Sequence, residues 1–128
     1  MSGLKDGMRL VAYFEIPVTD LDRAAAFYEV LLDVRLERTV VDGHPMALFP
    51  PVDGAGQATG ALAAGESYVP SVDGTRVYFE VDDVAGVLAR GVAGGGLVLY
   101  PPTSLGDGDQ VAELEDTEGN RIALLSRT

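Results

Sequence analysis

Two stretches of this 128-residue chain repeat one another. FEIPVTDLDRAAAFYEVLLD at 14–33 and YFEVDDVAGVLARGVAGGG at 78–96 both read as a strand running into a helix. With Val18 set on Val81 and Asp20 on Asp83 they align without a gap at a constant spacing of 63 residues, which places Tyr13 on Arg76, Glu15 on Tyr78 and Ile16 on Phe79. Self-similarity at this period restricts the chain to two copies of one supersecondary unit. Side chains alternate along a strand, so Phe14, Ile16 and Val18 share one face and Tyr13, Glu15 and Pro17 the other. The second copy repeats the division, with Val77, Phe79 and Val81 against Arg76, Tyr78 and Glu80. The apolar face calls for a helix, and the polar, aromatic face is left for something else.

The first helix supplies that cover. Leu21, Ala24, Ala25, Tyr28, Leu31 and Leu32 recur at three- and four-residue spacing, Thr19 or Asp20 caps the start, and the acids at 20 and 22 suit its positive end. The second helix, Asp83 to about Val92, is weaker, because Gly86 and Gly91 each cost about 1 kcal/mol relative to alanine. Gly94, Gly95 and Gly96 end it. Strands at Arg35–Val41 and His44–Phe49 flank Asp42-Gly43, a two-residue hairpin signal. Gln57–Ala64 reads as a fourth strand, and Leu97–Tyr100, Gln110–Glu115 and Arg121–Ser126 complete the same series in the second half. Pro101–Asp109 reads as a flexible loop and Glu118-Gly119-Asn120 as a tight turn. The expected fold class is α+β: two tandem βαβββ modules, about 8–65 and about 75–127, joined by a linker at 66–74 within a single domain spanning 1–128.

Composition narrows the function classes. Twenty acidic against nine basic residues give a net charge of -11, and Lys5 is the only lysine, so phosphate backbones and anionic membranes are poor partners. The charge itself reads as a solvating surface. Without cysteine there is no disulfide, thiolate metal site or cysteine nucleophile. Apolar runs stay under ten residues and Met1–Gly7 lacks the segments of a signal peptide, so a soluble, cytoplasmic protein is expected. No GxGxxG or phosphate-cradling loop follows a strand, and no serine sits in a nucleophile elbow.

The runs FEIPVTDLDRAAAFY and PSVDGTRVYFEVDDV and the ending DTEGNRIALLS together resemble the vicinal oxygen chelate superfamily, which includes glyoxalase I, bleomycin resistance proteins and extradiol dioxygenases. The match extends over residues 9 to 127, and its nearest branch is the one described as lactoylglutathione lyase-related. The resemblance implies a curled mixed sheet around a shared cleft with helices on its outer face. The face of Tyr13, Glu15, Arg76 and Tyr78 would then line the cleft.

Metal-using members of that superfamily take His, Gln or Glu ligands from the first and last strand of each module, and use the ion as a Lewis acid. The corresponding positions here are Tyr13, Arg76, Ala123 and, on the last strand of the first module, a residue near Gly60. A guanidinium does not bind a cation, and alanine and glycine offer no side-chain donor. No metal or other cofactor is therefore expected. His44, beside the hairpin turn, is expected to be a plain turn or surface residue. Glu15 is the best catalytic candidate, as a general base, against the simpler reading of a rim charge or a partner for Arg76. Glu15 and Glu113 are a weaker possibility as a carboxylate pair for a hard ion. The acids Glu113, Glu115, Asp116 and Glu118 read as a solvated strand end.

The ligand-binding set implied is Tyr13, Glu15, Arg76, Tyr78, Glu113 and Ala123, with Arg76 as an anchor for an anionic ligand and Tyr100 as a further stacking surface. The expected function is metal-independent small-molecule binding. The alternative is an atypical lyase, isomerase or dioxygenase with a reduced metal site or a carboxylate base. The resemblance also implies a homodimer, for which the small side chains of Gln57–Ala64 would permit close approach.

Overall fold

The computed structural model describes residues 9–52 and 56–128. Met1–Gly7 and the start of the first module near residue 8 lie outside the described residues. The element order is β1 (Phe14–Val18), α1 (Leu21–Leu32), β2 (Glu37–Val41), β3 (His44–Leu48), β4 (Gly60–Ala64), β5 (Tyr78–Glu80), α2 (Val84–Ala93), β6 (Leu97–Ser104), β7 (Gln110–Glu115) and β8 (Arg121–Ser126). These build two four-stranded mixed sheets, ordered β1-β4-β3-β2 and β5-β8-β7-β6. Each is the product of one βαβββ module, as the repeat requires.

The repeat is preserved in detail. Asp20 and Asp83, equivalent residues, cap α1 and α2 by accepting from the backbone N–H three residues on, each at 3.0 Å. Each first strand runs parallel to the last strand of its own module, with Glu15 opposite Ala61 and Tyr78 opposite Ala123. The hairpin between β2 and β3 turns through Asp42 and Gly43, both at positive φ, the combination that a two-residue turn of this hand needs.

One core joins the modules on the helix side, where Ile16, Val18, Ala24, Tyr28, Leu31, Val84, Leu88, Leu114, Ile122 and Leu124 are all buried. Gly91 of α2 is part of this packing. A β-carbon there would stand 2.6 Å from Leu114 and 2.9 Å from Leu31, so the glycine that weakens the helix is what lets it lie against β7 and α1.

Several sequence expectations need correction. The loop expected at Pro101–Asp109 is partly strand, since β6 runs to Ser104 and pairs Thr103 with Val111. Two prolines are tolerated because β6 is an edge strand with irregular register. The strands expected at Arg35–Val41 and Gln57–Ala64 begin later, at Glu37 and Gly60. β4 lies between β1 and β3, so both of its edges are paired and it offers no edge to a second chain.

The largest correction concerns the acidic run. Glu113, Asp116 and Glu118 are 7%, 4% and 8% exposed, not solvated. Asp116 accepts from the Tyr28 hydroxyl, from the Asn120 side chain and from the backbone N–H groups of Glu118 and Asn120. Glu118 reaches the other module. It accepts from the N–H groups of Thr19 and Asp20 at 3.0 and 2.9 Å and from the Arg23 guanidinium at 2.8 Å, which satisfies free donors at the start of α1. Burial alone would raise the Glu118 carboxyl, but Arg23 and the backbone and hydroxyl donors outweigh it and hold the group at about 2. Asp116 and Glu118 form the joint between the modules, while Glu113 pairs within the second.

Candidate functional site

The sheet faces turned away from the helices carry the residues singled out from the sequence. On the first module Tyr13 and Glu15 project from the β1 segment, over a floor of Met46, Ala61 and Ala63 that is almost wholly buried. Glu15 does not pair with Arg76. Its two oxygens accept instead from the hydroxyls of Tyr13 at 2.8 Å and Tyr68 at 2.9 Å. Partial burial and then the Glu15 carboxylate push the Tyr13 phenol up to about 12, and the bond to Glu15 raises Tyr68 as well. His44 is half-buried at the start of β3, with its ring edge-on to Tyr68 at 5.5 Å.

On the second module the matching face carries a guanidinium cluster. Arg121 donates to Glu113 at 2.5 Å, and Arg76 stands 3.3 Å from the same oxygen. Two arginines thus share one largely buried carboxylate, and Glu115 stands opposite Arg121 in the sheet register. Ala123, fully buried, lies between Tyr78 and Glu113 in the sheet register and keeps the floor low. Tyr78 and Tyr100 stand exposed on the second sheet, and Tyr78 also borders an apolar recess of about 450 Å³ walled by Phe14, Phe49, Val52, Phe79 and Val81.

Of the six residues expected at the site, the structure joins Tyr13 to Glu15 and Arg76 to Glu113, and sets Ala123 beside Tyr78 and Glu113. Tyr68 and Arg121 were not among them. Arg121 was legible, being two residues before Ala123 on the same strand and therefore on the same face. Tyr68 was not, because it lies in the linker, where no periodicity assigns a direction. The register also moves the fourth ligand position. Ala61, not Gly60, occupies the place equivalent to Ala123, and a β-carbon on Gly60 would run into the Phe14 ring at 2.5 Å.

The donor set at these four positions, Tyr13, Ala61, Arg76 and Ala123, does not fit a divalent ion of the kind the resemblance implies. Two members have no side-chain donor, one is a cation, and the tyrosine hydroxyl is committed to Glu15. Among the described residues no three His, Asp or Glu side chains converge elsewhere. No helix there is long and apolar enough to cross a membrane.

The profile described as Glyoxalase/Bleomycin resistance protein/Dioxygenase superfamily matches residues 10–124. The chain belongs to this superfamily. Solved structures of the superfamily fold agree with its architecture. TnmS3, an antibiotic binding protein from a Streptomyces species, is 21% identical, with 97% of this chain and 100% of that one covered and a TM-score of 0.67. A glyoxalase/bleomycin resistance protein from Albidiferax ferrireducens is 21% identical over 91% of this chain and 97% of that one, with a TM-score of 0.64. A glyoxalase I mutant from Zea mays is 20% identical with a TM-score of 0.68 over 89% of this chain, which spans 45% of the maize chain. At these identities the likeness is one of fold. Among curated proteins none matches the sequence.

Proposed function

We propose that this superfamily member is a small-molecule-binding protein that works without a divalent metal, and that its motifs place it nearest the lactoylglutathione lyase-related branch. The observation that carries the reading is the cleft face itself. Where metal-using relatives would need imidazole or carboxylate donors it presents alanines, an arginine and a tyrosine, yet it is furnished with exposed aromatic rings and an arginine cluster. Rings of this kind stack on planar ligands, and guanidiniums offer a fixed fork of donors to an acid group, so the ligand carries an anionic group received by Arg76. The antibiotic binding described for TnmS3 is consistent with such a role on this fold. Glu15 as a general base is less favoured, because both its oxygens are already occupied by tyrosine hydroxyls.

The protein is further proposed to act as a homodimer in the cytoplasm. The edge strands β2 and β6 leave Val40, Val41, Leu97 and Val98 exposed, and a second copy covering such a strand would remove both apolar surface and unpaired backbone from water. Light scattering is expected to give twice the 13.4 kDa chain mass, and the monomer mass at micromolar concentration would contradict the dimer.

The test of the main reading is a thermal-shift screen of a library of acidic, aromatic and neutral small molecules, run with and without EDTA. Stabilising hits that are unaffected by EDTA and weakened by Arg76→Ala or Tyr78→Ala are expected. Hits that all require a metal ion, or an absence of hits, would overturn it.

A further inference from the structure

We infer that the apolar recess beside β5, between the two modules, binds an aromatic amine, its ring against the cluster of Phe14, Phe49 and Phe79 and its ammonium group at Glu80. Neither Arg76 nor Arg121 lines this recess, so it is a site apart from the arginine face, and the inference goes beyond the reading above without depending on it.

β5 stands last in its sheet, so one of its edges is free, and the recess of about 450 Å³ is lined both by β5 and by residues of the first module. That volume lies within the roughly 300–1,000 Å³ of small-molecule sites and exceeds the roughly 150 Å³ in which an apolar cavity takes up benzene. Phe14, Leu32, Val34, Phe79 and Val81 pack on the core yet are only partly buried, and all five line the recess. A ligand that covers them removes apolar surface from water. The rings of Phe14, Phe49 and Phe79 have their centroids 5.4, 5.8 and 6.0 Å apart at tilted and edge-on angles. An aromatic ligand extends this cluster with contacts of the same kind, which an aliphatic one does not make.

The charge at its rim selects the other end of the ligand. Glu80 is the only charged side chain among the described residues that line the recess. It is exposed, and among the described residues it joins no ion pair, not even with Arg127, two residues beyond its register partner Leu125. Glu80 also borders a neighbouring depression together with Asp33, Asp82 and Asp83. The one cation lining that depression, Arg90, donates to the carbonyls of Val30 and Leu31 at 3.1 and 3.0 Å. Four carboxylates thus stand against one guanidinium beside the rings. An anionic ring compound meets them as like charges, a neutral one gains nothing from them, and a cation without a ring leaves the apolar walls uncovered. Only a ligand with both a ring and a positive charge is favoured at both ends.

The experiment is calorimetric titration of the full chain with 2-phenylethylamine, and with 3-phenylpropionate, 2-phenylethanol and butylamine as the anionic, neutral and ringless counterparts. Saturable binding of 2-phenylethylamine is expected, at least about tenfold tighter than 3-phenylpropionate or butylamine and about threefold tighter than 2-phenylethanol, the smaller gap reflecting a single exposed ion pair. Glu80→Gln is expected to weaken the amine about threefold and leave 2-phenylethanol unchanged. Val34→Phe, which narrows the recess, is expected to weaken both ring compounds. Circular dichroism on Glu80→Gln, a change at an exposed site, keeps the test decisive should Val34→Phe misfold. No saturable binding of the amine, equal binding of 3-phenylpropionate or butylamine, or indifference of the amine to Glu80→Gln would overturn the inference.

Discussion

The two modules present different groups on corresponding faces. In the first, the face away from the helix presents a carboxylate held by two tyrosines. In the second, two guanidiniums close on a single carboxylate. The helix-side faces, by contrast, match closely: equivalent aspartates cap both helices, and the same alternation feeds one continuous core. The duplicated unit has kept what packs and diverged in what it presents. A second contrast lies at the helix starts. Beyond its own aspartate cap, α1 receives Glu118 from the other module, whereas the hydrogen bonds show only Asp83 serving the start of α2.

That second contrast should give the largest effects. Glu118→Ala removes the acceptor from two backbone N–H groups and from Arg23 at a buried joint, and is expected to cost about 3 kcal/mol in urea unfolding, whereas Asp83→Ala, the loss of a single cap, should cost about 1 kcal/mol. Equal costs would mean that the cross-module contact adds nothing. The pH dependence follows the same group. Its carboxyl is held at about 2 in the folded chain against 4.5 ordinarily, so its stabilisation is complete above about 4.5 and is lost as pH falls toward 2. Glu118→Gln should flatten that part of the acid-unfolding curve.

Gly91→Ala tests the helix-side core. Helix propensity favours the change by about 1 kcal/mol, while crowding against the buried Leu31 and Leu114 side chains opposes it by about 1–3 kcal/mol. A net loss of about 1 kcal/mol is expected, and a gain would show that the core yields there. The smallest change belongs to the cleft. Glu15→Gln should alter stability by no more than about 0.5 kcal/mol, in keeping with its exposure. Ultraviolet titration should nonetheless find the Tyr13 phenol moved from about 12 back toward 10.

The fold was legible because a repeat with alternating strands leaves few arrangements open, and both helices and the Asp42-Gly43 hairpin lie where the sequence puts them. Less legible was anything decided across the seam. Asp116 and Glu118 look like solvent-seeking acids in the sequence, since nothing local shows that Tyr28, Thr19 and Arg23 from the other module meet them. The same limit left the partner of Arg76 open between Glu15 and Glu113 and left Tyr68 unplaced, because those partnerships depend on how the linker and the strands come together. Strand alternation did put Tyr13, Glu15, Arg76 and Tyr78 on the faces where the structure has them.

Elemental analysis tests the absence of a metal from the cleft most directly. The purified chain would be equilibrated with excess zinc, nickel, manganese and iron salts and then desalted. Well under one equivalent of any of these ions per 13.4 kDa chain is expected, with the library hits still bound in EDTA. Near one equivalent of a single ion, lost on Glu15→Gln together with ligand binding, would contradict it.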